Sequence, residues 1–171
     1  MKRFLSLPIF LLLIAVSTVV VASCTSDDES DGIPDKIPAA PMDDYTQTFF
    51  EQIPRDGAMD YDDVFQLGLR SDTCYVIDSK EEFVAMYRGA NVLPEIDFGK
   101  YSLIVGRKTS PVASGLDRSR QVLIEKEDCY NLNLYRASIE GKTIITASVS
   151  YFYYGIYPKL NEKKIVVNLY E

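Results

Sequence analysis

Residues 130–137 and 145–151 alternate between apolar and polar side chains, and no other feature of this chain restricts its fold so strongly. In the first stretch Leu132 and Leu134 alternate with Asn131 and Asn133. In the second, Ile145, Ala147, Val149 and Tyr151 share one side while Thr146, Ser148 and Ser150 share the other. Successive side chains of a strand point to opposite faces, so a period of two marks a strand with one buried face. The segment Glu140-Gly141-Lys142 between them predicts an antiparallel hairpin. Further strands are expected at 74–78, 101–105, 121–125 and 164–170, the last with Ile165, Val167 and Leu169 inward.

One segment carries a helical signal. Ser79-Lys80-Glu81-Glu82 has the spacing of a capping box, in which the serine oxygen accepts a backbone N–H and Glu82 reaches back to the serine N–H. Phe83, Met86 and Tyr87 then fall three and four apart, predicting a short helix over 80–88. Residues 108–120, with Pro111, Gly115, three serines and mixed charge, read as a mobile loop. The fold class expected is mainly β with one short packed helix, an antiparallel sheet or small sandwich, as a single domain over 45–171.

The N-terminus gives an address. Lys2 and Arg3 precede an uncharged apolar run over 4–23, the plan of an export signal. The run is long enough to span a bilayer, and its end decides between signal and anchor: Val21-Ala22-Ser23 stand directly before Cys24. This segment resembles the lipobox of bacterial lipoproteins, which implies a signal peptide over 1–23 and a diacylglycerol on the Cys24 sulfur. Ser26, Asp27, Asp28 and Glu29 resemble the acidic surface-export tag of Bacteroidota lipoproteins, which implies an outer-membrane protein facing the cell exterior. A plain acidic linker has the same composition. Gly32, Pro34, Pro38 and Pro41 extend this into a disordered acidic tether over 24–44.

Composition excludes more than it includes. The chain has 25 acidic and 18 basic residues, a formal charge of −7, and cleavage before Cys24 removes Lys2 and Arg3 but no acid. Nucleic acid needs a basic footprint, so it is not an expected partner. There is no histidine, which removes Ser-His and Cys-His pairs and the commonest zinc ligand. Chemistry by paired carboxylates survives that test. Asp60, Asp62 and Asp63 lack the glycine and distal glutamate of a calcium loop and read as a solvated turn. No metal or cofactor is implied.

Two features remain. With Cys24 lipidated, Cys74 and Cys129 form an even remainder, which suggests a disulfide worth about 3–4 kcal/mol, with two separately buried thiols as the alternative. The segment Tyr151-Phe152-Tyr153-Tyr154-Gly155-Ile156-Tyr157 places rings on both faces of a strand. Gly155 is expected to bend the chain, leaving Tyr153, Tyr154 and Tyr157 as candidate partner-binding residues. Tyrosines that cap the core with wet hydroxyls are the other reading.

A second resemblance covers residues 74–171. A strand, a short helix, Ile96-Asp97-Phe98 leading into a strand followed by Gly106, and Tyr157-Pro158-Lys159 before a final strand resemble the family of lipoproteins that stabilise a surface protease complex. The resemblance implies a small β-rich binding module with no catalytic residues. Where that family has a glycine-rich turn followed by an aromatic residue, this chain has Ser114-Gly115-Leu116-Asp117. The function expected is a lipid-anchored, non-catalytic binding module of the cell envelope, an accessory or stabilising subunit of a surface protein complex. A glycan-binding lipoprotein using residues 151–157 is the second reading, and a carboxylate-dependent hydrolase the third.

Overall fold

The computed structural model describes residues 35–53, 66–112, 115–137 and 144–171. In chain order these form β1 (Lys36–Ile37), α1 (Asp44–Gln52), β2 (Cys74–Ile77), α2 (Lys80–Met86) and β3 (Tyr101–Val112). A 3-10 turn (Arg118–Arg120), β4 (Val122–Glu125), β5 (Cys129–Tyr135), β6 (Ile144–Pro158) and β7 (Lys164–Tyr170) follow. The described chain is mainly β, as expected. Its strands make two sheets, ordered β2-β3-β6 and β1-β4-β5-β7, with every pair antiparallel except β5 and β7.

The three-stranded sheet is the middle of three layers. Leu103 and Val105 of β3 and Phe152, Tyr154 and Ile156 of β6 pack against Phe49 and Phe50 of α1 and Phe83 of α2. The alternate residues, Ile104, Tyr153 and Tyr157, pack against Leu123, Tyr130, Leu132 and Leu134 of the four-stranded sheet. A strand covered on both faces needs no polar side, so β6 carries a run of rings instead of an alternation. Full burial of one such side chain contributes about 1.5–3 kcal/mol.

The close approach of these layers depends on Gly106. It lies opposite Tyr153 on the paired strand, and a Cβ there would fall 2.5 Å from the Thr73 carbonyl oxygen and nearer still to the Tyr153 hydroxyl. Gly155, opposite Ile104, lies in the same way beneath the Tyr157 ring. Contrary to the expected bend, β6 runs straight through Gly155, because the glycine makes room for a ring and does not break the strand.

Several expectations are corrected. The hairpin between 130–137 and 145–151 does not form: β6 pairs with β3, while β5 sits between β4 and β7. The turn at 140–142 lies outside the described residues. The described residues form two α-helices, not one. Asp43 caps α1 by accepting from Thr46 N at 2.6 Å, and Phe49 and Phe50 bury its inner side. α2 keeps its serine cap, Glu82 N donating to Ser79 Oγ at 3.2 Å, but Glu82 reaches one residue further back and accepts from Asp78 N at 2.8 Å. It ends before Tyr87, which bridges instead to Leu67.

The tether and the mobile loop also shrink. Residues 35–43 lie on the domain: β1 pairs with β4, and Ala40 N donates to Ile156 O at 2.7 Å. Strand β3 continues to Val112, with Pro111 at a register shift where a missing N–H does no harm. Asp117 then caps the 3-10 turn by accepting from Ser119 N.

Candidate functional site

The expected partner-binding tyrosines are in the core. Tyr153 and Tyr157 are 1% exposed and Tyr154 is 7% exposed, so none presents a ring broadly to solvent. The physical reason is that both faces of β6 are covered: the helices lie over Tyr154, and the four-stranded sheet lies over Tyr153 and Tyr157. Tyr153 donates its hydroxyl to Thr73 O at 3.3 Å. Burial pushes both the Tyr153 and Tyr157 hydroxyls above the usual range, with the neighbouring Cys74 adding to the effect at both.

Tyr154 and Tyr157 do form the floor of a cleft of about 530 Å³ between α1 and the 3-10 turn. The Tyr154 ring is stacked on Phe50, centroids 4.7 Å apart and 19° from parallel. The Arg118 guanidinium also lies 4.7 Å from its centroid, a cation over a π face. Gln121 Nε2 donates to both Tyr154 O at 3.0 Å and Tyr157 Oη at 2.9 Å, which fixes the amide across the floor. Met42 and Leu116 supply apolar wall, and Gln47 donates to Glu51 Oε1 at 2.9 Å along the α1 rim.

This arrangement suits recognition. A guanidinium from the turn and a carboxylate from α1 line an otherwise uncharged cleft, with stacked rings beneath. Small clefts of this make-up hold a side chain or short peptide by shape and fix its orientation by a few polar contacts. Glu51 is the one carboxylate lining the cleft among the described residues, and no three His, Cys, Asp or Glu side chains among them come together as a metal site.

The expected Cys74–Cys129 bridge does not form, and Cys74 is a free thiol. Cys129 lies on the side of β5 that carries Asn131, whose Oδ1 it meets at 3.8 Å, and Cys74 packs with Tyr130, Leu132 and Leu134 on the other. The two sulfurs are therefore on opposite faces of the four-stranded sheet. Cys129 is disulfide-bonded. Burial pushes the Cys74 thiol up to about 11 against the opposing bond from Tyr153. The lipidation residue Cys24, the tag residues Ser26, Asp27, Asp28 and Glu29, and the acids Asp60, Asp62 and Asp63 lie outside the described residues.

The residues that line the cleft beside the tyrosines, Arg118 and Gln121 above all, fall in or next to the stretch read as a mobile loop. Asp117 two residues before Ser119 was the available signal, since a side-chain cap of this kind orders a short turn. Arg107, fully buried in β3, was also missed: it donates to Leu69 O at 3.3 Å and Ser150 Oγ at 3.1 Å, linking the helix side of the middle sheet to the segment before β2. No family model, curated protein or solved structure matches this chain.

Proposed function

We propose that this chain is a lipid-anchored, non-catalytic binding module of the cell envelope, an accessory or stabilising subunit of a surface protein complex. The observation that carries the reading is the joining of two features. The N-terminal segment resembles a lipobox ending at Cys24, and the domain it leads into offers a recognition cleft floored by Tyr154 and Tyr157. The cleft takes one side chain or short segment of a protein partner, its polar end meeting Arg118 or Glu51. Residues 25–34 reach at most about 35 Å, so the domain works close to the lipid surface.

Buried rings at 151–157 withdraw the support that this segment lent to glycan binding. The test is a pull-down from intact cells with a tagged wild type, Cys24→Ala, and an Arg118→Glu, Gln121→Ala double variant. One envelope protein recovered with wild type and lost with both variants supports the reading. Recovery of no protein with wild type overturns it. The intact mass of the membrane-extracted protein reads directly whether Cys24 carries a diacylglycerol.

A further inference from the structure

Among the described residues β7 ends its sheet, and one side of its backbone pairs with none of them. Tyr170 O accepts from Arg136 N, so Tyr170 turns its backbone groups toward β5. In a parallel ladder alternate residues do this, and Lys164, Val166, Asn168 and Tyr170 all bond to β5. Ile165, Val167 and Leu169 therefore turn three N–H and three C=O groups to the open edge, and no described residue bonds to these six.

Edges of this kind are ordinarily blunted by proline, a bulge or an inward charge. Residues 165–170 contain neither proline nor charge, and the register with β5 is unbroken from Lys164 to Tyr170. The charges stand at the two ends, Lys163 just before the strand, Lys164 at its first position and Glu171 after it.

We propose that β7 pairs antiparallel with β7 of a second copy of this chain, joining two four-stranded sheets into one across a two-fold axis at Val167. Only odd-numbered residues offer backbone groups at the edge, so the mate must set odd opposite odd. Centring on Val167 sets Ile165 opposite Leu169 and Lys163 opposite Glu171 of the second copy. Among in-phase registers of the strand and its flanking residues 163 and 171, this one alone opposes a lysine to a glutamate. Shifting the axis to residue 166 or 168 instead sets Lys163 opposite Leu169 or Glu171 opposite Ile165. Glu171 already meets Arg136 at 3.3 Å with its side chain 73% exposed, and Lys163 already meets Glu125 at 2.8 Å and donates to Lys126 O at 2.9 Å, so the pairing across the seam joins two existing ion pairs. The half-buried Ile165, Val167 and Leu169 side chains, which pack on the core of their own sheets, form the inner seam.

The experiment is sedimentation equilibrium of the purified protein with disulfide trapping of Val167→Cys. The expected result is an average mass that rises toward twice the monomer with concentration, and a covalent dimer linked through position 167 in mild oxidant. Val84→Cys, exposed on α2, and Val76→Cys, on the edge strand β2, are the controls. Val167→Pro removes an edge donor while leaving the β5 ladder whole, and weakens association by at least about tenfold. Glu171→Lys opposes like charges and weakens it too, which keeps the test decisive should the proline variant fail to fold. A mass that stays monomeric at every concentration overturns the proposal, as does trapping at 167 no faster than at 84. Trapping mainly at 76, or assembly beyond a dimer, overturns it equally, since each means a different edge.

Discussion

Replacing Gly106 by alanine adds one methyl group at the place where three parts of the fold meet. The new Cβ would fall 2.5 Å from the Thr73 carbonyl oxygen and closer still to Oη and Cζ of Tyr153. Real Cβ atoms do not tolerate such distances, so something must shift. Thr73 is backbone, and its carbonyl already accepts from Arg107 N at 3.1 Å and from the Tyr153 hydroxyl. Tyr153 is 1% exposed between two sheets and has nowhere to swing. Overpacking a close-packed core costs about 1–3 kcal/mol, more where backbone must move, so about 3 kcal/mol is expected here. In a domain of this size that lowers the melting temperature by about 10 °C.

Differential scanning calorimetry or urea unfolding of the Gly106→Ala variant measures this. Gly115→Ala is the control, because its Cβ meets only Ala137 Cβ at an ordinary 3.7 Å. Tyr153→Phe combined with Gly106→Ala removes the hydroxyl clash but not those with Cζ and Thr73 O, so it restores only part of the loss. A Gly106→Ala melting temperature within about 2 °C of wild type would refute the close approach of the two sheets over this residue.

Phe50, fully buried and stacked between Tyr154 and Phe83, is expected to cost about 3–5 kcal/mol when replaced by alanine, read by urea unfolding. The Cys74 thiol, half-buried and pushed up to about 11, should resist iodoacetamide at pH 8 in the native protein and react on unfolding, which mass spectrometry reports directly. Asp72 holds a left-handed turn at φ 52°; burial raises its carboxyl, but the Thr109 hydroxyl and amide together with Lys108 outweigh this and hold it below the usual carboxylate range. Its folded pKa is depressed, so its contribution is full at neutral pH and is lost as pH falls through the folded value. Asp72→Asn, which keeps the turn, should therefore destabilise by about 0.5–1 kcal/mol at pH 7 and converge on wild type once the pH falls below the depressed folded value, a comparison made by thermal melts across pH.

What the sequence revealed depended on how many faces of each element are wet. Strands β5 and β7 were legible because Asn131, Asn133 and Asn168 alternate with residues that pack inward. Strand β6 was misjudged because both of its faces are covered, and a run of rings gives no inward direction. Helix α1 was legible and was overlooked: Asp43 is a capping residue, and Thr46, Phe49, Phe50 and Ile53 fall three and four apart on the side that is buried. The partner of β6 was misassigned for a different reason: a hairpin leaves a local mark, whereas the β3–β6 pairing, Tyr101 with Pro158 at one end, joins segments far apart in the chain. The face of Cys129 was readable, since it shares parity with Asn131. The face of Cys74 was not, because Val76 is exposed, Tyr75 is half-buried, and the four-residue strand shows no clean alternation.

The two long edges of the molecule are treated differently, and residues 35–43 are the cause. Ala40 N donates to Ile156 O on the outer edge of β6, Ala40 and Met42 pack on the helix-side core, and Met42 also lines the cleft beside Tyr154. The segment that leads back toward Cys24 thus closes the β6 edge and walls the cleft, while β7 keeps its edge open. Ala40→Pro removes the donor and leaves the Ile156 carbonyl to water. Loss of one such bond with partial exposure of its acceptor costs about 1 kcal/mol, so the core survives while the segment loosens. Limited proteolysis should then cut the variant within 35–43 at least about threefold faster than wild type, with the main thermal transition lowered by no more than about 5 °C. Equal cleavage rates would mean that Met42 and β1 hold the segment without the Ala40 bond, and that the cleft wall does not depend on it.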